Sequence, residues 1–221
     1  MKTVKIPKEL IRKLKPFGPR FLKVRKPIPG LRKSGKGAVE NGWQFNLYEA
    51  DDGELQRWLQ SGGNYGISFG EGIAGIDLDS LEMRRKLEEH VDTFTIQSGR
   101  GSEGAHAIIR TDAAENGVIL TPEGRNLGNI QVKNKYLVGP GCNHFTGGTY
   151  KIVKDVPFAW VSKAKLEEIF GECLKWTGER RKLAEEQAKR DEELIGFKIP
   201  MEEIVDLNEL RQISEYEWQG A

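Results

Sequence analysis

The stretch EGIAGIDLDSLEM, from Glu71 to Met83, sets two aspartates one residue apart in an otherwise apolar run. On a β-strand, residues two apart point to the same face, about 7 Å apart along the chain. Asp77 and Asp79 would then share one face, while Ile76 and Leu78 enter the core behind it. Neighbouring carboxylates repel, and each costs several kcal/mol if it loses water without gaining a partner. A divalent cation removes both problems, and oxygen-rich sites of this kind suit Mg²⁺ or Mn²⁺. Two such ions about 4 Å apart are the arrangement used for in-line attack at phosphorus. A plainer arrangement also satisfies these residues: Asp79 caps a helix that begins near Ser80, and Asp77 pairs with an arginine.

Two later stretches carry features suited to phosphate. SGRGSEGAHAII, from Ser98 to Ile109, has glycines at 99, 101 and 104. Such glycines let the backbone turn tightly and aim N–H groups at an anion. Arg100 adds a planar donor, and His106 opens a strand from which its ring could reach a phosphate oxygen. A glycine-rich hairpin with a core histidine is the other reading of the same residues. In GNIQVKNKYLVGPGCNHFTGGTYKI, from Gly128 to Ile152, a polar strand is followed by an apolar one, a Pro-Gly turn, His144, a Gly-Gly turn and a tyrosine. Lys133 and Lys135 are candidates to meet phosphates, and His144 is either a ligand contact or a loop histidine.

The elements that must position these residues are short. NYGISFG (Asn64–Gly70) and IAGIDLD (Ile73–Asp79) read as strands about a Gly-Glu-Gly turn. SLEMRRKLEEHV follows as a helix capped by Ser80, with apolar positions at Leu81, Leu87 and Val91. TFTIQSG, AHAIIR, GNIQVK, YLVGPG and TYKIV are further β-rich runs, and DDGELQRWLQSGG is a short helix. Five prolines break up the first thirty residues, leaving a short helix at Glu9–Leu14. From Ser162 the Ala, Glu, Lys and Leu content predicts one long helix or two, broken near Gly178. The segment after Pro200 is acidic and too short for a core of its own. Strand pairs mixed with helices, without regular βαβ alternation or a GxGxxG, point to an α+β domain with a mixed or antiparallel sheet.

Composition bounds the function. The 38% apolar and 9% aromatic content of the 221 residues is enough for a core and too high for a disordered chain. Cys142 and Cys173 form neither a metal spacing nor a disulfide framework, and there is no signal peptide or membrane-spanning run. These features lead to the expectation of a reducing, cytoplasmic setting with no membrane partner. The net charge of +1 conceals an asymmetry: residues 1–37 hold thirteen Lys or Arg against one acid, Glu9. That basic block is either a phosphate-facing surface or a solvated tail.

Taken in order, the acidic pair, the glycine-rich turn with its histidine, and G-x-I-x…Y-x-V-x-P-x-x-x-H-x-x-G-x-x-Y resemble the primase–polymerase (prim-pol) catalytic domain. That domain belongs to the archaeo-eukaryotic primase superfamily. GKGAVENGW (Gly35–Trp43) and GGNYGISFGEGIAGIDLD resemble the family's approach to its first motif, so the resemblance covers roughly residues 20–160. It implies an RRM-like sheet with an N-terminal α/β module over residues 1–161, with residues 162–221 as a helical extension and acidic tail. The implied activity is template-directed nucleotide polymerisation, including primer synthesis, from dNTPs or NTPs on a single-stranded DNA template with Mg²⁺ or Mn²⁺. By position, Asp77 and Asp79 match the metal-binding pair, His106 matches the histidine that contacts the nucleotide's phosphates, and Ser98 and Arg100 lie in the phosphate loop. In similar proteins further modules follow, often a helicase, and the same is expected of a longer chain here.

One position departs from the family. A third acidic residue is expected on the strand after the histidine motif, in a context like G-[D/E]-I, where this chain reads Gly128-Asn129-Ile130. Asn129 is the counterpart, or Gln131 if the register slips by two, and either side chain offers a neutral oxygen without charge. Glu103 or Asp112 is a candidate substitute acid. Two other readings stay open. One is a non-catalytic module that binds nucleic acid or nucleotide. The other is a metal-dependent nuclease, which would want paired histidines and a nucleophilic tyrosine.

Overall fold

The computed structural model describes residues 3–32, 34–101, 103–178 and 184–190. In chain order these form α1 (Lys8–Leu14), β1 (Phe21–Val24), α2 (Gly53–Gln60), β2 (Asn64–Ser68), β3 (Ile73–Leu78), α3 (Leu81–His90), β4 (Phe94–Gln97) and β5 (Ala105–Arg110). β6 (Gly117–Leu120), β7 (Asn126–Gln131), β8 (Tyr136–Val138), β9 (Lys151–Lys154), α4 (Lys163–Phe170) and β10 (Leu174–Trp176) follow. The chain divides into two units, Met1–Gly178 and Glu179–Ala221. In the second, residues 184–190 are helical, and the acidic stretch after Pro200 lies outside the described residues.

The main sheet runs β10-β6-β7-β3-β5-β4-β9 with every neighbouring pair antiparallel, so β3 is central. A smaller antiparallel sheet, β1-β2-β8, takes two strands from the N-terminal region and one from far downstream. The α+β, antiparallel expectation holds. The small sheet is completed by β8, so the N-terminal elements do not form it alone.

Alternation along the strands sorts the core into two layers. Ala74, Ile76 and Leu78 of β3, Ala107 and Ile109 of β5, and Ile130 of β7 pack with Met83 and Leu87 of α3 and with Leu166, Ile169 and Phe170 of α4. Ile73, Phe94, Ile96 and Ile108, on the other face, pack with Leu10 and Leu14 of α1, Leu55 and Leu59 of α2, and Tyr65, Ile67 and Leu137 of the small sheet. Each fully buried aliphatic or aromatic side chain contributes about 1.5–3 kcal/mol.

The helices start where their caps dictate. The Asp52 carboxylate accepts from the Glu54 and Leu55 N–H groups, Ser80 Oγ from Met83, and Ser162 Oγ from Lys165. In α3 the core positions are Met83 and Leu87, four apart, whereas Leu81 is exposed and Val91 is buried just beyond the helix. α4 ends at Gly171, whose φ of +55° favours glycine. The helix expected from Ser162, continuous or broken near Gly178, therefore stops at Phe170, and Leu174–Trp176 instead pairs with β6 as an edge strand. α4 and β10 thus pack within the first unit. The N-terminal basic block is also less uniform than its composition suggests. Arg20 and Lys23 are buried, Arg20 pairs with Glu71, and Lys23 lies between Glu40 and Glu54. Burial alone would lower the Lys23 pKa, but its bonds to Glu40 and Glu54 hold it above its ordinary value.

Candidate active site

The geometry of the central strands brings three of the expected residues into one row. Asp77 on β3 stands opposite His106 on β5 and opposite Asn129 on β7. Directly opposed residues of antiparallel strands share a face. This register makes Asn129, not Gln131, the partner of Asp77; Gln131 stands opposite Gly75. Asp79 lies one residue past β3, its N–H bonded to Leu127 O, and its carboxylate pairs with Arg100.

Asp77 Oδ1 is 3.5 Å from His106 Nε2, and His106 Nδ1 is 3.2 Å from the Val138 carbonyl. A carbonyl only accepts, so Nδ1 carries a proton and Nε2 faces the carboxylate. Burial raises the Asp77 pKa, which the His106 charge opposes and the Asp79 charge reinforces. Burial lowers the His106 pKa, and Asp77 opposes that shift. Each shift disfavours the charged form of its group.

The two glycine-rich loops pack on each other beside this row. A Cβ on Gly99 would sit 2.3 Å from His144 Cβ, so the approach of the loops requires glycine there. Thr146 Oγ1 donates to Gly99 O at 3.0 Å, and the Thr146 N–H donates to His144 Nδ1 at 3.3 Å. His144 Nδ1 also lies 2.8 Å from Thr146 Oγ1, and its Nε2 is buried without a partner. Ser98 Oγ is likewise buried without a partner. The Tyr150 ring lies 5.3 Å from that of His106 and 5.7 Å, edge-on, from that of His144. Burial, and after it the Asp77 charge, raises the Tyr150 pKa. The His144 pKa is pushed down to about 4 by burial, with Lys36, Arg100 and His106 adding to the effect.

A cleft beside Asp77 and His106 is lined by Lys36, Gln131, Tyr136 and Tyr150 among others. Gln131 Oε1 is buried there without a partner. Lys133 and Lys135 are not among its lining residues. They lie in the turn between β7 and β8, beyond the Ile73 end of β3, where Lys133 N–H donates to Asn116 Oδ1 and Lys135 O accepts from Phe69. Asp112 is also remote, at the far end of β5 from His106, where it accepts the Lys163 N–H at 2.6 Å. Glu103 is exposed in the loop before β5. Lys36 and Tyr150 were not singled out by sequence reasoning. Lys36 lies forty-one residues before Asp77, and spacing gives no signal over that distance.

Two carboxylates and an amide oxygen are hard oxygen donors that fit Mg²⁺ or Mn²⁺, with one negative charge fewer than three acids would give. Among the described residues no group of three or more His, Cys, Asp or Glu is placed to hold a metal ion, and no helix is long and apolar enough to cross a membrane. No curated protein matches the chain. The family model for the N-terminal domain of bifunctional DNA primase/polymerases, Prim-Pol, matches residues 22–167, more than half of the chain and all of the residue row built on Asp77. The chain therefore belongs to the Prim-Pol family.

Proposed function

We propose that this chain carries out template-directed nucleotidyl transfer, making and extending DNA primers from nucleoside triphosphates, with Asp77 and Asp79 as its metal ligands. Family membership gives primase/polymerase-type nucleotidyl transfer as the class of chemistry. The observation that carries the residue assignment is the row of Asp77, His106 and Asn129 at the centre of the sheet, with Asp79 and Arg100 at its end. A bound Mg²⁺ or Mn²⁺ would lower the pKa of the attacking 3′-hydroxyl and neutralise the leaving pyrophosphate.

The chain's own groups do the rest. His106 Nε2 faces the Asp77 carboxylate and, when protonated, can donate to a phosphate oxygen. Arg100 and Ser98 Oγ supply further donors: the first is released from Asp79, and the second already lacks a partner. Asn129 offers its amide oxygen beside Asp77. The single-stranded template is held by solvent-facing cations of the N-terminal segment, among them Arg25, Lys26 and Arg32.

Asn129 favours a second reading, a module that binds nucleotide and DNA without efficient catalysis. Primer extension with Mn²⁺ tests both. The native chain is expected to extend a templated primer. Asp77→Lys is expected to abolish incorporation while leaving the circular dichroism spectrum unchanged, and full extension by that variant would contradict the assignment. Activity in neither the native chain nor Asn129→Asp would leave the binding module.

A further inference from the structure

Residues 25–36 hold five Lys or Arg and no acid, yet the middle of this run reads Ile-Pro-Gly-Leu. Ile28 and Leu31 are 56% and 54% exposed, so two aliphatic side chains stand in water at the centre of a cationic surface. Their presentation is built into the backbone. Pro29 and Gly30 take the two central positions of a turn that Leu31 N–H closes on Ile28 O at 3.1 Å, and Gly30 has φ +78°. Ser34 Oγ accepts the Ile28 N–H at 2.9 Å and donates to Ile28 O at 3.0 Å, while the Ser34 N–H donates to Leu31 O at 3.1 Å. The first and last residues of such a turn lie next to each other, so Ile28 and Leu31 form one apolar tip.

The loop behind the tip is closed and tied down. Arg25 N–H donates to Gly37 O at 2.9 Å. Gly35 has φ +74°, and a Cβ there would sit 2.7 Å from Pro27. The Gly35 carbonyl accepts Asn64 Nδ2 at 3.2 Å. Asn64 is fully buried and also clamps Asn143: its Nδ2 donates to Asn143 O at 2.8 Å, and its Oδ1 accepts the Asn143 N–H at 2.9 Å. Gly30 N–H donates to Phe145 O at 3.1 Å. The tip is thus fixed to the loop that carries His144, which packs on Gly99 beside Arg100.

We propose that Ile28 and Leu31 form a wedge that inserts between bases of the single-stranded template and unstacks them. A single strand offers phosphates to Arg25, Lys26 and Arg32 and apolar base faces to the tip between them. An anionic membrane would match the same chemistry, but the tether to Phe145 places the tip beside the candidate active site, where a template strand passes. The wedge rests on the nucleotidyl-transfer reading and adds a base contact to the phosphate contacts of that reading. It fixes where stacking is broken as the strand enters the site.

Binding of the full chain to a single-stranded oligonucleotide carrying 2-aminopurine, and to an abasic strand of equal length, tests it. The native chain is expected to raise 2-aminopurine fluorescence about twofold, because unstacking relieves quenching. The double variant Ile28→Ser/Leu31→Ser is expected to lose that rise and to bind the ordinary strand about tenfold more weakly. Its affinity for the abasic strand should stay within about twofold, and its salt slope should be unchanged, since no phosphate contact is removed. Ile28→Leu/Leu31→Ile, which keeps the apolar tip, is expected to retain the fluorescence rise. Native affinity and fluorescence in the serine variant overturn the wedge and leave the nucleotidyl-transfer reading standing. Equal weakening on both strands marks a structural role for the tip and overturns the wedge too. Loss of binding to phosphatidylglycerol vesicles with DNA binding intact would make the tip a membrane contact instead. A native chain that binds neither strand removes the template from the nucleotidyl-transfer reading, and the wedge with it.

Discussion

Asp77 and Asn129 stand directly opposite each other across β3 and β7, so a carboxylate faces an amide where two carboxylates would repel. The pairing relieves the metal-free fold and weakens the grip on a cation. Asn129→Asp is therefore expected to lower the melting temperature in EDTA, by about 0.5–1 kcal/mol of stability, because like charges then face each other. In Mn²⁺ the same variant is expected to gain more stability than the native chain does. Melting curves in the two buffers check this, and a variant indifferent to Mn²⁺ would show that no ion binds between these positions.

Asp77 itself is strained by its surroundings. Burial raises its pKa above the unfolded value, so the folded chain holds a proton that the unfolded chain has already lost. Metal-free stability therefore falls as pH rises through that window and stays reduced at neutral pH. Asp77→Asn is expected to raise stability in EDTA at pH 7 by about 0.5–2 kcal/mol, the usual gain when a functional charge is relieved, and to remove primer extension. Denaturant titration beside an extension assay measures both effects.

His144 works in the opposite direction. Its folded pKa of about 4 lies below the unfolded value near 6.5, chiefly through burial. The unfolded chain takes up this proton first as pH falls. Stability is thus fully present above about pH 6.5 and is lost towards pH 4. His144→Gln is expected to flatten that slope in chemical denaturation between pH 7 and 5. In an NMR titration of the native chain, dATP is expected to raise the His144 pKa, because a phosphate beside Nε2 favours the charged ring.

Template affinity is expected to fall with salt. Replacing Arg25, Lys26 or Arg32 by Ala should each reduce the slope of log affinity against log salt by about 0.7, the value for one phosphate contact on a single strand. Arg20 and Lys23 belong to the same basic block but are buried in ion pairs. Their loss should appear as reduced stability, with no change in the salt slope. Fluorescence anisotropy on a labelled oligonucleotide separates the two groups.

The candidate site was legible where polar residues interrupt the hydrophobic pattern. Two acids in an apolar strand, and glycines around Arg100 and His106, break the hydrophobic pattern, and the break shows in the sequence. β3, β5 and β7 could be read from their alternation, and the Ser80 cap from its residue type. What escaped depended on long-range pairing. β1 lies among lysines and prolines that read as a basic tail, and it exists because Tyr65 and Ile67 pair with it. β10 sits in a helix-like composition, and only its ladder with β6 makes it a strand; the break was expected near Gly178, whereas α4 ends at Gly171. The clamp by Asn64 joins residues 35, 64 and 143, a relation that no spacing rule expresses.

The most direct measurement of the central claim is manganese anomalous diffraction from crystals grown with Mn²⁺ and a non-hydrolysable deoxynucleoside triphosphate. The expected result is anomalous density in contact with both Asp77 and Asp79, with the phosphate tail against His106 and the Ser98 loop. Manganese bound elsewhere would contradict the account. So would a nucleotide seated away from this row, with Asp77 still turned to His106 and Asp79 to Arg100.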